Sequence, residues 1–302
     1  MVTVTPLDAT LGATVTDVGL ADMTEAVWQT VEAAFHEHAL LIFPGQHLTD
    51  DEQVAFAERF GEIELLTPNP ELKALALSNK APDGPGTLKP DAHRFKALRG
   101  NEGWHTDSTY MPLAAKASVL SAIQVPSRGG ETEWADMRAA WDALDEVTQQ
   151  RLSGLKAYHS LYQSQLRAGF HIPTGAGYGY HTKGAPLRPV MKLHPVTGRP
   201  ALYTGRHAFR IEGMEDEAAL DMLDKLLADA CQAPRTHRHQ WSAGDVIIWD
   251  NRCVLHRACP YDAAEVRIMR HTRIAGDPAT ELAPTVADNL AEGYEKTSSN
   301  AF

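Results

Sequence analysis

The sequence has few cysteines, an excess of acidic residues and no long apolar run, and each feature limits what the protein can be. Its three cysteines, Cys231, Cys253 and Cys259, form no CxxC pair and leave one thiol unpaired under any disulfide scheme, which favours a reducing compartment. The formal net charge of −11 argues against a nucleic-acid or anionic-membrane partner, since both favour a basic face. No stretch approaches the roughly 18 apolar residues of a membrane span.

The remaining global features favour a cytoplasmic protein with its own core. The first residues, MVTVTPLDATLGA, show no basic segment followed by an apolar one, as a secretory signal would. With 302 residues the chain can bury a large core without disulfide or zinc support. We interpret the polar residues 277–302 as a C-terminal tail that is either mobile or an oligomer contact, and we expect a homo-oligomer, a dimer or a tetramer, that acts on a small molecule.

Apolar periodicity predicts the main elements. Helices are predicted at 24–39, 49–61, 136–147 and 214–232, and strands at 39–45, 116–125, 201–205, 245–250 and 265–276. Residues 62–104 have no clear period and are rich in Pro and Gly around 81–91, so we predict a long loop that acts as a lid over the substrate.

The order of these elements indicates the fold class. Strands dominate the second half, and helices do not alternate regularly with them, which disfavours a doubly wound parallel sheet. An antiparallel double-sheet barrel with flanking helices fits better. The expectation is an α+β fold with a mainly β core, in one domain spanning 1–302.

A candidate metal site lies in the segment NEGWHTDSTY at 101–110, where His105 and Asp107 are two residues apart. With 14 histidines in the chain, an HxD motif is expected about once by chance, so the pair alone is weak evidence. No other histidine is followed at that spacing by a carboxylate. His256, just after the apolar strand DVIIWD, is the candidate third ligand. Two histidines and one carboxylate with open positions favour non-haem Fe(II) that activates oxygen, whereas structural zinc would use four ligands.

An oxygen-activating iron also needs an electron-rich co-substrate, and a dicarboxylate such as 2-oxoglutarate needs a cation for its far end. The strand VRIMRHTR at 266–273 offers candidates, because alternation places Arg267, His271 and Arg273 on one face and Arg270 on the other. A guanidinium matches a carboxylate with two parallel hydrogen bonds. The pattern by itself leaves Arg267 and Arg273 both open for this role.

Several segments in order resemble the taurine dioxygenase and 2,4-dichlorophenoxyacetate dioxygenase family, the TauD/TfdA group. They are LIFPGQHLTDDEQVAFAERFG at 41–61, WHTDSTY at 104–110, VPSRGGETEWADMRAAWDAL at 125–144, HPVTGRPALY at 194–203 and GDVIIWDNRCVLHRA at 244–258. The resemblance covers nearly the whole chain. It implies a double-stranded β-helix, a cupin-like jelly roll, and an enzyme that uses Fe(II), 2-oxoglutarate and O2.

The resemblance also implies roles for individual residues. His105, Asp107 and His256 would bind the iron. Arg267, eleven positions after His256, would hold the far carboxylate of 2-oxoglutarate, and the threonine of GGETEW, Thr132, would add a hydrogen bond. Asn101, four positions before His105, matches a position that faces the substrate in the taurine enzyme.

One position departs from the family pattern. Members with sulfonate or carboxylate substrates usually carry a second arginine fifteen positions after the distal histidine, and here that position is His271. An imidazole that is not permanently charged cannot hold an anion as a guanidinium does. Either the substrate is less anionic, or the basic part of the lid holds its anion, through Lys89, Arg94, Lys96 or Arg99.

The sequence therefore predicts a dioxygenase that hydroxylates a C–H bond of a small organic molecule, with cleavage where the hydroxylated carbon bears an ether oxygen, a nitrogen or a sulfonate. The aspartate disfavours halogenation, because iron halogenases have a small residue in its place. The alternatives are hydroxylation or desaturation of a less anionic metabolite, a metal-dependent hydrolase using the same three ligands, and a silent metal-binding or sensor domain.

Overall fold

The computed structural model describes residues 2–84, 86–89, 91–170 and 177–286. The described chain contains sixteen strands, which are β1 Thr3–Pro6, β2 Ala13–Thr16, β3 Leu40–Phe43, β4 Leu75–Ser78, β5 Ala115–Gln124, β6 Thr132–Asp136, β7 Lys156–His159, β8 Ala185–Pro189, β9 Met191–Leu193, β10 Pro200–Leu202, β11 Ala208–Ile211, β12 Thr236–His239, β13 Val246–Asp250, β14 Val254–Ala258, β15 Ile268–Ala275 and β16 Thr285–Val286. Its α-helices are α1 Glu25–His38, α2 Asp50–Glu58, α3 His93–Arg99, α4 Met137–Asp142, α5 Glu146–Leu152, α6 Leu161–Arg167, α7 Asp216–Ala230 and α8 Pro278–Glu281.

The strands form one large sheet and three smaller ones. The large sheet has the order β1-β2-β3-β13-β5-β15-β4, and the others have the orders β11-β7-β8-β16, β12-β6-β14 and β10-β9. Within the described residues every strand pair is antiparallel except β2 with β3. The prediction of a mainly β protein with flanking helices, rather than a parallel doubly wound sheet, is confirmed.

The large sheet is buried on both faces, which explains why its central strands are continuous apolar runs. In β13 the side chains of Val246 and Ile248 pack with α1 and α2, through partners such as Phe35 and Phe56. The alternate residues Ile247 and Trp249 pack on the opposite side, against the smaller sheets. Strands β3 and β5 divide in the same way. The space between the large sheet and the sheet β12-β6-β14 is where the candidate site lies.

Most predicted elements are present with bounds shifted by a few residues. Thr49 and Glu52 form the predicted capping box, in which the Thr49 side chain accepts from Glu52 N and the Glu52 carboxylate accepts from Thr49 N. The predicted helix 136–147 is interrupted. It ends as α4 at Asp142, and a new helix starts because Asp145 accepts a hydrogen bond from Thr148 N at 3.0 Å.

Two segments are more ordered than the sequence predicts. The segment 62–104 was predicted as a loop without regular structure, which is wrong in part, since β4 pairs with β15 and α3 covers the cavity described below. The predicted tail begins with a packed turn, where Glu281 is buried and forms an ion pair with Lys192. Residues 287–302 lie outside the described chain. Among the described residues, no helix has the length and apolar character needed to cross a membrane.

Candidate active site

Backbone pairing brings the two predicted histidine ligands together. His105 and His256 form an isolated antiparallel bridge in which each main-chain N–H donates to the other residue's carbonyl, at 3.0 and 2.8 Å. Their rings are therefore on the same side, with centroids 4.1 Å apart. Strand β14 fixes the position of His256 by pairing with β6. The bridge then brings His105 beside it, although the two histidines are far apart in the sequence.

Asp107 follows His105 by two residues and is held through both carboxylate oxygens. Ser118 on β5 donates to Oδ2 at 2.6 Å, and Arg273 on β15 donates from Nη2 to Oδ1 at 2.8 Å. Asn251 reinforces this arrangement, since its side chain donates to Ser118 Oγ and accepts from Asp107 N and Trp249 Nε1. The carboxylate thus has a defined orientation within the protein alone.

The electrostatics of these groups suit metal ligands. Burial lowers the pKa of His105 to about 4, and burial together with the neighbouring His105 lowers the pKa of His256 well below its ordinary value. Both imidazoles are therefore neutral at neutral pH, as metal binding requires. Burial alone would raise the pKa of Asp107, but the charge of Arg273 outweighs it and holds this pKa well below its usual range. The site consequently offers two neutral nitrogens and one negative oxygen.

The three donor atoms fit one ion. They all lie within 4.8 Å of one another. His105 Nδ1 is 2.7 Å from the Gly103 carbonyl, so it carries the proton and leaves the lone pair on Nε2. The distance from His256 Nε2 to Asp107 Oδ2 is 3.9 Å, too long for a hydrogen bond but spanned by two metal–ligand bonds of about 2.0–2.2 Å. The donor set is the two-histidine, one-carboxylate combination of non-haem Fe(II) enzymes.

A second cluster, His36, His194 and Asp250, has similar spacing but does not fit a metal. His194 accepts backbone hydrogen bonds at Nδ1, from Val196 N and Thr197 N, and its Nε2 therefore donates to Asp250 at 3.0 Å. Both ring nitrogens are in use. Arg252 also binds both oxygens of Asp250. The His194 and Asp250 members of this cluster therefore belong to a polar network of the core.

The His105, Asp107 and His256 group opens into a cavity of about 280 Å³. Its lining includes apolar and aromatic side chains, among them Leu77, Phe95, Leu98, Leu120 and Tyr261. The lining also includes polar and charged side chains, among them Arg99, Asn101, Glu102, Thr132, Arg267, His271 and Arg273. The predicted common face of Arg267, His271 and Arg273 is confirmed. Arg270 points away, where it contacts the Leu48 carbonyl and Asp50.

Thr132, at the start of β6, and Arg267, just before β15, both line this cavity. The Arg267 Nε donates to the Gly130 carbonyl at 3.1 Å, and among the described residues no acceptor bonds to its Nη groups. Thr132 Oγ1 accepts from Trp241 Nε1 at 2.9 Å, so its own proton is available. A guanidinium fork and a hydroxyl donor thus face the same space and can bind a carboxylate.

The two glycines of the segment SRGGETEW allow this close approach. Gly129 and Gly130 have φ values of +74° and +72°, which side chains rarely adopt. A Cβ on Gly130 would lie 3.1 Å from Arg267 Nε, and one on Gly129 would lie 2.5 Å from the Pro260 carbonyl oxygen. A larger residue at position 130 would push against Arg267, and one at position 129 would clash with the main chain at Pro260.

The remaining predicted residues are distributed unequally. Asn101 and Arg99 line the cavity, although Arg99 is bonded to Glu102 at 2.8 Å. Arg94 is exposed and lies outside the cavity wall, as do Lys89 and Lys96. His271 lies deeper than expected for a residue at a substrate mouth, because its Nε2 is 3.6 Å from Asp107 Oδ2 and its ring is parallel to Trp249.

Several groups that hold Asp107 in place were not predicted from the sequence. Ser118 donates to the carboxylate, and Asn251 donates to Ser118 and accepts from the main-chain N–H of Asp107. Glu64 and Tyr178 lie behind Arg273, within segments that have no apolar period. The pattern of β5 could indicate only that Ser118 is one of several small residues in a buried strand.

Comparison with known proteins decides the family. Residues 3–273 match the family described as "Taurine catabolism dioxygenase TauD, TfdA family". The chain belongs to the TauD/TfdA family. It is 50% identical over 285 residues to the (S)-phenoxypropionate/alpha-ketoglutarate-dioxygenase of Sphingobium herbicidovorans, covering 93% of this chain and 97% of that protein. It is 35% identical to the alpha-ketoglutarate-dependent 2,4-dichlorophenoxyacetate dioxygenase of Cupriavidus pinatubonensis, over 90% of this chain and 97% of that protein.

Solved structures agree with this assignment. A crystal structure of AAD-2 in complex with Mn(II) and N-oxalylglycine is similar with a TM-score of 0.84 and 34% identity, over 95% of this chain and 100% of that chain. A taurine dioxygenase from Burkholderia xenovorans gives a TM-score of 0.76 at 25% identity, over 96% and 97% of the two chains. This TauD/TfdA protein is thus an Fe(II)- and 2-oxoglutarate-dependent dioxygenase, which uses O2 to hydroxylate a small molecule and releases succinate and CO2.

Proposed function

We propose that this dioxygenase cleaves 2-aryloxyalkanoates, with a 2-aryloxypropanoate of S configuration as the preferred substrate. The observation that carries the proposal is the site itself, in which His105, Asp107 and His256 open into a cavity lined by both apolar and charged side chains. Its volume of about 280 Å³ is just below the range of ligand pockets, which span about 300–1,000 Å³. Because 2-oxoglutarate occupies part of the same cavity, the remaining space suits a small substrate with a single ring and a short acid. The relatives at 50% and 35% identity, named for aryloxyalkanoates, support the same class.

In the proposed site His105, Asp107 and His256 hold the Fe(II). The metal supplies the oxidation, in which O2 and 2-oxoglutarate are consumed and a substrate C–H becomes C–OH. Arg267 and Thr132 bind the far carboxylate of 2-oxoglutarate, since they present a guanidinium fork and a hydroxyl to the same cavity. A carboxylate bound to Arg267 would neutralise the charge of this buried guanidinium. The site therefore favours a dianionic co-substrate over a neutral molecule.

The substrate would lie with its ring against Leu77, Phe95 and Leu98 and its carboxylate toward the polar side chains of the lining. We propose Arg99, Asn101 and His271 as its polar contacts, because all three line the cavity. Arg94 is outside this proposal. Hydroxylation of the carbon that bears the ether oxygen gives a hemiketal, which collapses to a phenol and a 2-oxo acid as the C–O bond breaks. The task of the pocket is to bring that one C–H to the metal and to exclude water.

The finer structural expectations are part of this proposal. The antiparallel order of the large sheet and of β12-β6-β14 supports a double-stranded β-helix within one domain, and α3 supports a lid role for the segment 62–104. The free thiols Cys231, Cys253 and Cys259 support a cytoplasmic location. The net charge of −11 supports the absence of nucleic-acid and anionic-membrane partners. A homo-oligomer, dimer or tetramer, completes the proposal.

The test is product analysis on a panel of acids. Purified protein with Fe(II), 2-oxoglutarate and ascorbate is given (S)- and (R)-2-phenoxypropanoate, phenoxyacetate, taurine and an alkyl sulfate, and succinate and phenol are measured. We expect phenol and succinate in equal amounts from the S enantiomer, with slower release from the others. Phenol release without 2-oxoglutarate or oxygen would instead indicate a hydrolase. Turnover of taurine or the alkyl sulfate in preference to every aryloxy acid would refute the proposed substrate class.

His271 gives a second, more local prediction. Replacing His271 by arginine adds a permanent cation to the lining of the cavity, next to the proposed position of the substrate anion. We expect the KM for phenoxyacetate and for taurine to fall by about threefold to tenfold relative to His271→Gln, which has no charge. Steady-state kinetics on both variants measure this. An unchanged or higher KM for both anions would show that position 271 does not face the substrate's charge.

A further inference from the structure

Arg273 occupies an unusual place for an arginine that lines this cavity. It is two residues beyond His271 on the same face of β15, and its guanidinium points to the candidate metal ligand Asp107 rather than to the open space. The side chain is about 9% exposed. Further groups contact it, among them the Ser108 hydroxyl at 3.0 Å from Nη1, the Glu64 carboxylate at 3.8 Å from Nε, the ring of Tyr178 and the side chain of Tyr110.

The contacts of Asp107 divide between its two oxygens. Arg273 binds Oδ1, whereas Oδ2 receives the Ser118 hydroxyl and is the oxygen near His256 and His271. The oxygen available to a metal shared with His256 is therefore Oδ2. A strong hydrogen bond from a guanidinium keeps Oδ1 turned away, because such a charge-assisted bond is about twice as strong as a neutral one.

The number of coordination positions makes this division important. An octahedral ion has six positions, and two histidines with one carboxylate oxygen leave three of them free. The 2-oxo acid end of 2-oxoglutarate takes two, and oxygen needs the third. A carboxylate that bound through both oxygens would take a position from a co-substrate. The chain therefore needs a device that holds Asp107 to one oxygen.

Arg273 is itself held from behind. Ser108 has a φ of +57°, in the left-handed region, and this conformation directs its hydroxyl to both Arg273 and Glu64. The Tyr178 hydroxyl donates to the other oxygen of Glu64. Burial raises the pKa of Glu64, although the nearby Arg273 opposes this change. The result is a buried network whose inner end is Asp107 Oδ1, although Arg273 Nε makes no hydrogen bond within the described residues.

We propose that Arg273 is a positioning residue that keeps Asp107 bound to the metal through Oδ2 alone and so preserves the positions for 2-oxoglutarate and oxygen. The inference rests on the proposed metal ligands. Glu64, Ser108 and Tyr178 fix the guanidinium for this purpose. Arg273 does not touch the reacting atoms, and its effect is transmitted entirely through the carboxylate.

The test compares two binding constants in the variant Arg273→Met. Mn(II) binding to the metal-free protein is measured by calorimetry, and 2-oxoglutarate binding is then measured in the Mn(II)-loaded protein. We expect Mn(II) to bind about tenfold more tightly, because a positive charge beside the ion is removed and Oδ1 is free to join it. We expect 2-oxoglutarate to bind about tenfold more weakly, since it then competes with Oδ1 for a position.

The control is Arg270→Met, on the same strand but on the opposite face, where the arginine contacts Leu48 and Asp50. It should leave both constants within about twofold of the parent values, since its charge lies outside the cavity. Weaker Mn(II) binding in Arg273→Met, in parallel with a lower melting temperature, would mean that Arg273 only supports the fold. Unchanged 2-oxoglutarate affinity would also overturn the proposal.

A third variant separates this inference from the metal-site assignment. His256→Ala should lose Mn(II) binding, and if it binds Mn(II) normally the ligand assignment fails and not merely the role of Arg273. If Arg273→Met does not fold, Arg273→Lys serves in its place, because one ammonium cannot hold Asp107 and reach Ser108 and Glu64 together. The same opposite changes in the two affinities are then expected at smaller size, and changes in the same direction would refute the role.

Discussion

Replacing Asp107 by asparagine is expected to lower kcat/KM by more than about 1,000-fold. The amide has nearly the same shape as the carboxylate but no negative charge. A divalent ion would then be held by two neutral imidazoles next to the positive charge of Arg273. The measurement is 2-oxoglutarate-dependent succinate release at saturating Fe(II), together with calorimetric Mn(II) binding to the same variant.

The control for this substitution is Asp142→Asn, which removes the charge of an exposed aspartate that pairs with Arg199 far from the cavity. We expect parent activity from it, because exposed ion pairs contribute at most about 1 kcal/mol. Circular dichroism and a melting curve should show that Asp107→Asn remains folded. Retention of more than a tenth of the parent activity in a folded Asp107→Asn protein would refute the assignment of Asp107 as a metal ligand.

The proximity of His105, Asp107 and His256 could be predicted in part from the sequence, because the first two have a short spacing. His105 and Asp107 are two residues apart, so their side chains point the same way wherever the backbone is extended. His256 follows an apolar strand whose place in the centre of a sheet was clear from its composition. The structure adds the step that spacing could not provide, which is the direct bridge between His105 and His256.

The groups around Asp107 could not be predicted, since they come from elements that share no sequence pattern. Glu64 lies in the segment taken as a loop, and Tyr178 follows a region without periodicity. Their positions depend on how those segments pack across the end of the large sheet. A buried polar network is specified by three-dimensional proximity, and its members carry no local signature that distinguishes them from exposed loop residues.

The helix α3 could not be predicted from the sequence either. Composition indicated a basic loop, and Lys89, Arg94, Lys96 and Arg99 were equivalent candidates at that level. Because the segment 93–99 is a helix, only one side of it faces the cavity, and that side carries Phe95, Leu98 and Arg99. The helical period therefore separates Arg99 from Arg94, a distinction that a loop prediction cannot make.

The contacts of Arg273 change the interpretation of the histidine at position 271. The family pattern suggested that a cation was missing from this face of β15. The face does carry a second arginine, two residues further along, where it is occupied by Asp107 and Ser108 instead of a substrate anion. Arg99, Asn101 and His271 therefore remain the proposed contacts of the substrate's carboxylate.

The second large effect is expected at Arg267, where replacement by glutamine should raise the KM for 2-oxoglutarate by about 100-fold. The guanidinium is buried beside Gly130, and glutamine would leave a bound carboxylate without a counter-charge. Mn(II) affinity should stay within about twofold of the parent value, because Arg267 bonds to Gly130 whereas Asp107 bonds to Arg273. Titration of 2-oxoglutarate into Mn(II)-loaded protein measures the change directly.

Arg267→Lys is the matched variant, since it keeps the charge and removes the fork. We expect it to fall between the parent and Arg267→Gln, at about a tenfold increase in KM, because an ammonium binds a carboxylate through fewer fixed hydrogen bonds. Equal KM values for the glutamine and lysine variants would mean that the fork, rather than the charge, binds 2-oxoglutarate. An unchanged KM in Arg267→Gln would exclude Arg267 and leave Arg273 as the cation for this carboxylate, in direct conflict with its proposed role beside Asp107.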